Sequence, residues 1–259
     1  MASPFPPATR AQIEARFPIE RDLLVRTLSA VGDLIARLDG RPMGGMTRVE
    51  FLVLFQSVKA FKTGQAIERL FFDGYQEDAE VLLRVLVEQA IVIRWVHQED
   101  SDNRARAYAL FLGEKQFARL RLIREVMPTL DLGRVPVAEI EKAHAEYERL
   151  PNKDRWRSLT GDVGKLAASS GMRASYLFYV YGTDFIHSNP TIEASYVREV
   201  GSETWFNTVA SMPANGLTPV IVAQHLLFIA DVLNDQFGLA AGASLRTLMD
   251  EAERPPAEH

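Results

Sequence analysis

The chain has 259 residues, 47% of them hydrophobic, with 29 Lys+Arg against 34 Asp+Glu for a formal net charge of -5. This apolar fraction can bury a core that offsets chain entropy, which excludes disorder for most of the chain. The absence of cysteine excludes a disulfide scaffold, a zinc ribbon and a cysteine nucleophile, and the mildly acidic balance disfavours a generic nucleic-acid coat.

Residues 1–10 hold three prolines and read as an unstructured lead-in. No apolar segment follows a basic flank there, so no secretory signal is expected and a cytoplasmic location is. From Ile19 to Leu38, the spacing of Leu23, Leu24, Leu28, Val31, Leu34 and Ile35 predicts a first helix, stopped at Gly40. Thr47 and Glu50 have capping-box spacing and open a second helix, which reaches Phe72 before Asp73-Gly74 breaks it. A third runs from about Tyr75 to His97. A fourth, capped by Asp100 or Ser101, continues to Met127 ahead of Pro128. Pro136 suits the first turn of a fifth helix reaching Leu150.

Two shorter helices are expected over Asp162–Ser169 and Arg173–His187. Residues 190–213 carry β-branched and aromatic side chains on both sides of Gly201-Ser202 and read as an irregular excursion or short hairpin. Thr218 reads as the cap of a long helix with Pro219 at its first position, and a short helix near Leu245–Glu251 follows. The stretch Leu217–Leu233 approaches the length of a membrane span, but it includes Pro219, Gln224, His225 and Asp231 and reads as a buried core helix. The resulting expectation is all-α: a single-domain bundle of about eight to nine helices over residues 11–252, with residues 253–259 as a polar tail.

Charges inside apolar helices are the functional signal. In the third helix, Glu80, Arg84 and Glu88 stand at i, i+4 and i+8 in one row. Buried alone, each costs several kcal/mol, so Arg84 must meet Glu80, Glu88 or a group from another helix. The row is either a structural ion-pair seam or a pocket in which Arg84 holds an anion and Glu88 orients it. Arg104, Tyr108 and Lys115 fall close to one face of the fourth helix and either line an anion site or form a solvated edge. Asp184, His187 and Ser188 cluster at the end of TDFIHSNP. Such neighbours suit a helix terminus better than a triad, whose members come from separate segments. His187 is nevertheless the side chain best matched to proton transfer near neutral pH. No P-loop, GxGxxG, GxSxG or HExxH motif occurs, and no metal site or cofactor is expected.

The segment GQAIERLFFDGYQEDAEVLLRVLVEQAIVIRWV resembles the core of DUF5677, a mainly bacterial family of unknown function. The matching positions are Gly74, Ala79, Leu82, Leu83, Arg84, Leu86 and Glu88. A second stretch, with Trp156, Tyr176, Tyr179, Asp184, His187 and Ser188, resembles a later element of that family, except that the proline after the histidine is displaced to Pro190. The resemblance spans residues 45–200 and implies a helical fold and a polar cluster rather than a reaction. By analogy it also implies a setting in bacterial stress or phage defence. The arginine–histidine spacing of the HEPN helical ribonucleases is not met at His97, His144, His187 or His225.

Three functions compete on this reading. The first is a helical bundle whose polar centre binds a small anionic ligand or a protein partner through Arg84, Glu88, Tyr108, Lys115, Asp184 and Ser188. The second is a nuclease or nucleotide-processing enzyme, with His187 as general acid/base and Arg84 and Lys115 holding phosphate. The third is a structural homo-oligomer, suggested by the apolar second and last helices. Nucleic acid is not favoured as a partner, no membrane is expected, and a homodimer is compatible with all three.

Overall fold

The computed structural model describes residues 7–133, 135–186, 193–200 and 203–253. They form an all-α assembly with one two-stranded hairpin. The helices are α1 (Arg10–Arg16), α2 (Pro18–Ala36), α3 (Arg48–Phe72), α4 (Gln76–Val96), α5 (Ser101–Val126) and α6 (Val137–Glu148). They continue as α7 (Lys153–Thr160), α8 (Val163–Ser169), α9 (Arg173–Ile186), the single turn α10 (Glu193–Tyr196), α11 (Leu217–Phe237) and α12 (Gly242–Ala252).

The centre is built from α2, α3, α4 and α11. Leu24, Val53, Leu86, Ile91, Leu226 and Leu233 are among its fully buried or nearly fully buried side chains. The start of α3 uses the capping box read from the sequence: Glu50 N–H donates to Thr47 Oγ1 at 3.1 Å, and Thr47 N–H donates back to Glu50 Oε2 at 2.7 Å. The chain then turns at Gly74, where φ is +87° and a Cβ would stand 2.9 Å from the Ser211 carbonyl oxygen. Both facts require glycine. With only three residues between them, α3 and α4 fold back on each other. The segment after the hairpin lies across their turn, with Ser211 N–H donating to Gly74 O at 3.0 Å and Ala214 N–H to Gln76 Oε1 at 2.8 Å.

The apolar helix α11 is long and apolar enough to cross a membrane, yet most of it is buried against α2, α3, α4 and α12, as the core-helix reading expects. Its start differs from the sequence reading. Gly216 occupies the N-cap position and Asn215 Oδ1 receives Leu217 N–H at 3.0 Å. Thr218 is a buried residue of the first turn, and its hydroxyl donates to Glu80 Oε1 at 3.4 Å. Tertiary packing against α4 claims the oxygen that local capping would have used.

The helix count exceeds the expectation because α1 and α7 carry too few apolar residues for periodicity to reveal them, and α10 is a single turn. Helix α1 is set instead by the Thr9–Gln12 capping box. At α7, only Thr160 is fully buried. The excursion does form a hairpin: β1 (Val197–Val200) pairs antiparallel with β2 (Glu203–Phe206) in the register Val197↔Phe206 and Val200↔Glu203. A second, smaller core of Ala107, Leu110, Phe111, Tyr147 and Leu150 joins α5 to α6, with Trp156 of α7 against it.

Candidate functional site: a cationic cavity beside helix α4

A cavity of about 290 Å³ opens where α4, α5, α9 and the α7–α8 junction meet. Its polar lining includes Arg84, Glu88, Tyr108, Lys115 and Tyr179, and Val92, Phe111, Leu112 and Leu166 close it with apolar surface. Arg84 and Glu88 are one turn apart on α4 and half-buried, Tyr108 is a buried residue of α5, and Lys115 lies two turns further on at the exposed rim. Four sequence-predicted residues from two helices therefore meet in one place.

Arg84 is held without a carboxylate. Its Nη2 donates to Tyr179 Oη at 2.8 Å, and its guanidinium carbon lies 4.6 Å from the centroid of the same ring. Its Nε is buried without a hydrogen-bond partner among the described residues. Lys115 Nζ sits 4.6 Å from the Phe111 ring centroid. Among the described residues, neither cation has a carboxylate within ion-pair distance, although Glu88 shares the cavity. Two cations and one carboxylate leave the cavity net positive in a chain whose formal charge is -5. Burial, reinforced by the Glu88 carboxylate, pushes the Tyr108 phenol well above its usual range. Tyr108 thus keeps its proton and presents an O–H donor at any physiological pH.

The expected row Glu80–Arg84–Glu88 is split by α9. Gly182 lies so close to α4 that a Cβ on it would stand 2.7 Å from Glu80 O and 2.8 Å from Arg84 Cβ. Glu80 turns to the other side, where Gln76 Nε2 donates to its Oε1 at 2.6 Å and the Thr218 and Tyr181 hydroxyls also approach it. Burial, at 3% exposure, raises the Glu80 carboxyl to about 7. It lines a separate and more apolar cavity of about 470 Å³ with Leu83, Phe178, Tyr181, Leu217 and Ile221.

Arg104 is likewise separated from Tyr108 and Lys115. Its Nη1 donates to Trp95 O at 3.0 Å and to Gln98 Oε1 at 2.7 Å, and it borders a different cavity with Trp95, Arg155 and Trp156. Asp184 is half-buried on α9 and does not line the cationic cavity. His187 and Ser188 lie outside the described residues. Sequence reasoning missed Thr160 and Gly161, which enter from the α7–α8 junction, and the contact of Tyr179 with Arg84. No local pattern reveals those contacts, because they join segments far apart in the chain.

Sequence reasoning also passed over a second cluster, made by Glu114 of α5 with His144 and Glu148 of α6. Its one local signal was the i, i+4 spacing of His144 and Glu148, which places both on one face of α6. His97 and His225 are differently engaged. His97 Nε2 lies 2.9 Å from Asp235 Oδ2, while the buried His225 donates from Nδ1 to Ile221 O at 2.8 Å. Burial holds the His225 pKa below the ordinary histidine value, which favours its neutral form.

No curated protein and no solved structure gives a match to the chain. The profile of DUF5677, described as a family of unknown function, matches residues 50–203. That span runs from the first turn of α3 to the hairpin and holds Arg84, Glu88, Tyr108, Lys115 and Tyr179, whereas α11 and α12 lie beyond it. The match covers more than half of the chain, so the protein belongs to the DUF5677 family.

Proposed function

We propose that the protein binds a small anion, a phosphomonoester or carboxylate, in the cavity between α4, α5 and α9. The observation that carries this reading is the half-buried Arg84, held by the Tyr179 phenol with its Nε unpartnered among the described residues, in a cavity with a second cation at the rim. A structural arginine at such a place would be neutralised by a carboxylate, because an uncompensated buried charge costs several kcal/mol. The stacking of Arg84 on Tyr179 fixes the guanidinium plane and leaves its remaining N–H groups for an oxyanion. Tyr108 adds a neutral donor, and Glu88 accepts from any hydroxyl the ligand carries. Burial raises the Tyr108 pKa far from neutral pH, which suits positioning rather than proton transfer. A role in bacterial stress or phage defence is compatible with such a sensor-like site.

Titration calorimetry with inorganic phosphate tests the proposal, using wild type, Arg84→Met and Lys115→Ala. The expected result is saturable binding to wild type, loss in Arg84→Met with the helical circular dichroism spectrum preserved, and weaker binding in Lys115→Ala. Absence of phosphate binding to wild type, or binding that both variants retain unchanged, overturns it.

A further inference from the structure

We propose that Glu114, His144 and Glu148 form a site for one zinc-class divalent cation, independent of the anion cavity. One donor atom from each residue lies within 4.8 Å of the other two. Two donors bound to one tetrahedral zinc ion, each at about 2.1 Å, stand about 3.4 Å apart. Closing the cluster on an ion therefore takes side-chain adjustments of up to about 1.4 Å, the wider pairs drawing in and the Glu114–His144 pair opening from 2.5 Å.

The backbone is arranged to bring the donors together. Helices α5 and α6 approach closely at Gly113, where a Cβ would lie 2.7 Å from Ala143 Cβ. The next residues in each helix, Glu114 and His144, consequently face one another, with His144 Nδ1 2.5 Å from Glu114 Oε2. The imidazole is clamped flat against Phe117, with centroids 3.8 Å apart and planes inclined by 7°. This stacking holds the plane of the ring before any ion arrives. Glu148 completes the set from the next turn of α6.

Each carboxylate of this cluster has one protein cation beside it, and neither of those pairs is buried. Arg157 Nη2 stands 3.7 Å from Glu114 Oε1, at the long end for an ion pair. Lys153 Nζ reaches Glu148 Oε2 at 2.6 Å from an exposed position. Exposed pairs of that kind contribute little, so an ion displaces the lysine at small cost. One imidazole and two carboxylates suit zinc, cobalt(II) or nickel(II) better than calcium, which takes oxygen ligands only.

Protein stripped with chelator, dialysed and titrated with Zn2+ tests the site, with Co2+ absorption as a second readout. Wild type is expected to take up one equivalent and to show the visible bands of a low-coordinate Co2+ complex. His144→Ala is expected to lose more than about tenfold in affinity, since losing even an outer partner of a metal ligand costs that much. Lys153→Ala is expected to bind more tightly, because it removes the competing cation without touching a ligand. That increase separates a metal site from a structural cluster, which the lysine substitution would only weaken. His97→Ala is expected to bind as wild type does. The proposal is overturned by failure of wild type to bind, by binding that survives His144→Ala, or by binding that Lys153→Ala weakens.

Discussion

Substituting Glu80 by Gln is expected to change how stability depends on pH. The Glu80 carboxyl is buried and raised from 4.5 to about 7, with burial as the main cause. The folded protein therefore holds a proton between those values that the unfolded chain has released. Stability from the protonated group is fully present below pH 4.5 and is lost as pH rises through about 7. At about 1.4 kcal/mol for each unit, the loss on completing this rise is of the order of 3 kcal/mol. Gln at this position keeps an acceptor for Gln76 Nε2 and Thr218 Oγ1, is nearly isosteric, and cannot ionise. Denaturant melts of both proteins at pH values from 4.5 to 8 give the difference in unfolding free energy. That difference should swing toward the variant by about 3 kcal/mol as pH rises, with most of the swing between pH 5 and 7.5. Glu77 is also raised by burial and is present in both proteins, so it enters the difference only through its repulsion of the Glu80 charge, a smaller cause of the Glu80 shift than burial. A difference that stays flat across the range would refute the assignment of a buried, neutral carboxyl at Glu80.

Gly182→Ala places a methyl within 2.8 Å of Arg84 Cβ and of the Glu80 carbonyl oxygen. It should force α9 off α4, cost about 1–3 kcal/mol in a urea melt and weaken phosphate binding by displacing Tyr179; an unchanged midpoint would contradict the close approach. Tyr147 is fully buried, and its hydroxyl has no partner among the described residues, so Tyr147→Phe should be neutral or stabilising by up to about 1 kcal/mol in thermal melts. A loss of more than that would mean the hydroxyl is hydrogen-bonded.

Much of the fold is legible in the chain because its signals are local. The capping box at Thr47, the break at Gly74, the long apolar periods of α2, α4 and α11 and the β-branched stretch around Val197 each act within a turn or two. The candidate site is only half legible, for the same reason. Arg84 and Glu88 stand out because a charge inside an apolar helix is costly wherever that helix packs. Tyr108 and Lys115 stand out because helical spacing puts them on one face.

Spacing does not say which neighbour a face meets. The row from Glu80 to Glu88 is continuous on α4, yet Gly182 lets α9 cross it, sending Glu80 toward α11 and Arg84 toward Tyr179. Thr218 carries a capping side chain but spends its hydroxyl on Glu80 instead. Glu114 and His144 are 30 residues apart and meet only where Gly113 and Ala143 allow two helices to touch. The sequence by itself determined where helices start, where they break and which charges are expensive to bury, since those depend on residues within a few positions of one another. Only the tertiary structure decided which of those charges share a cavity, because that depends on which helices pack side by side and where a missing side chain lets them approach.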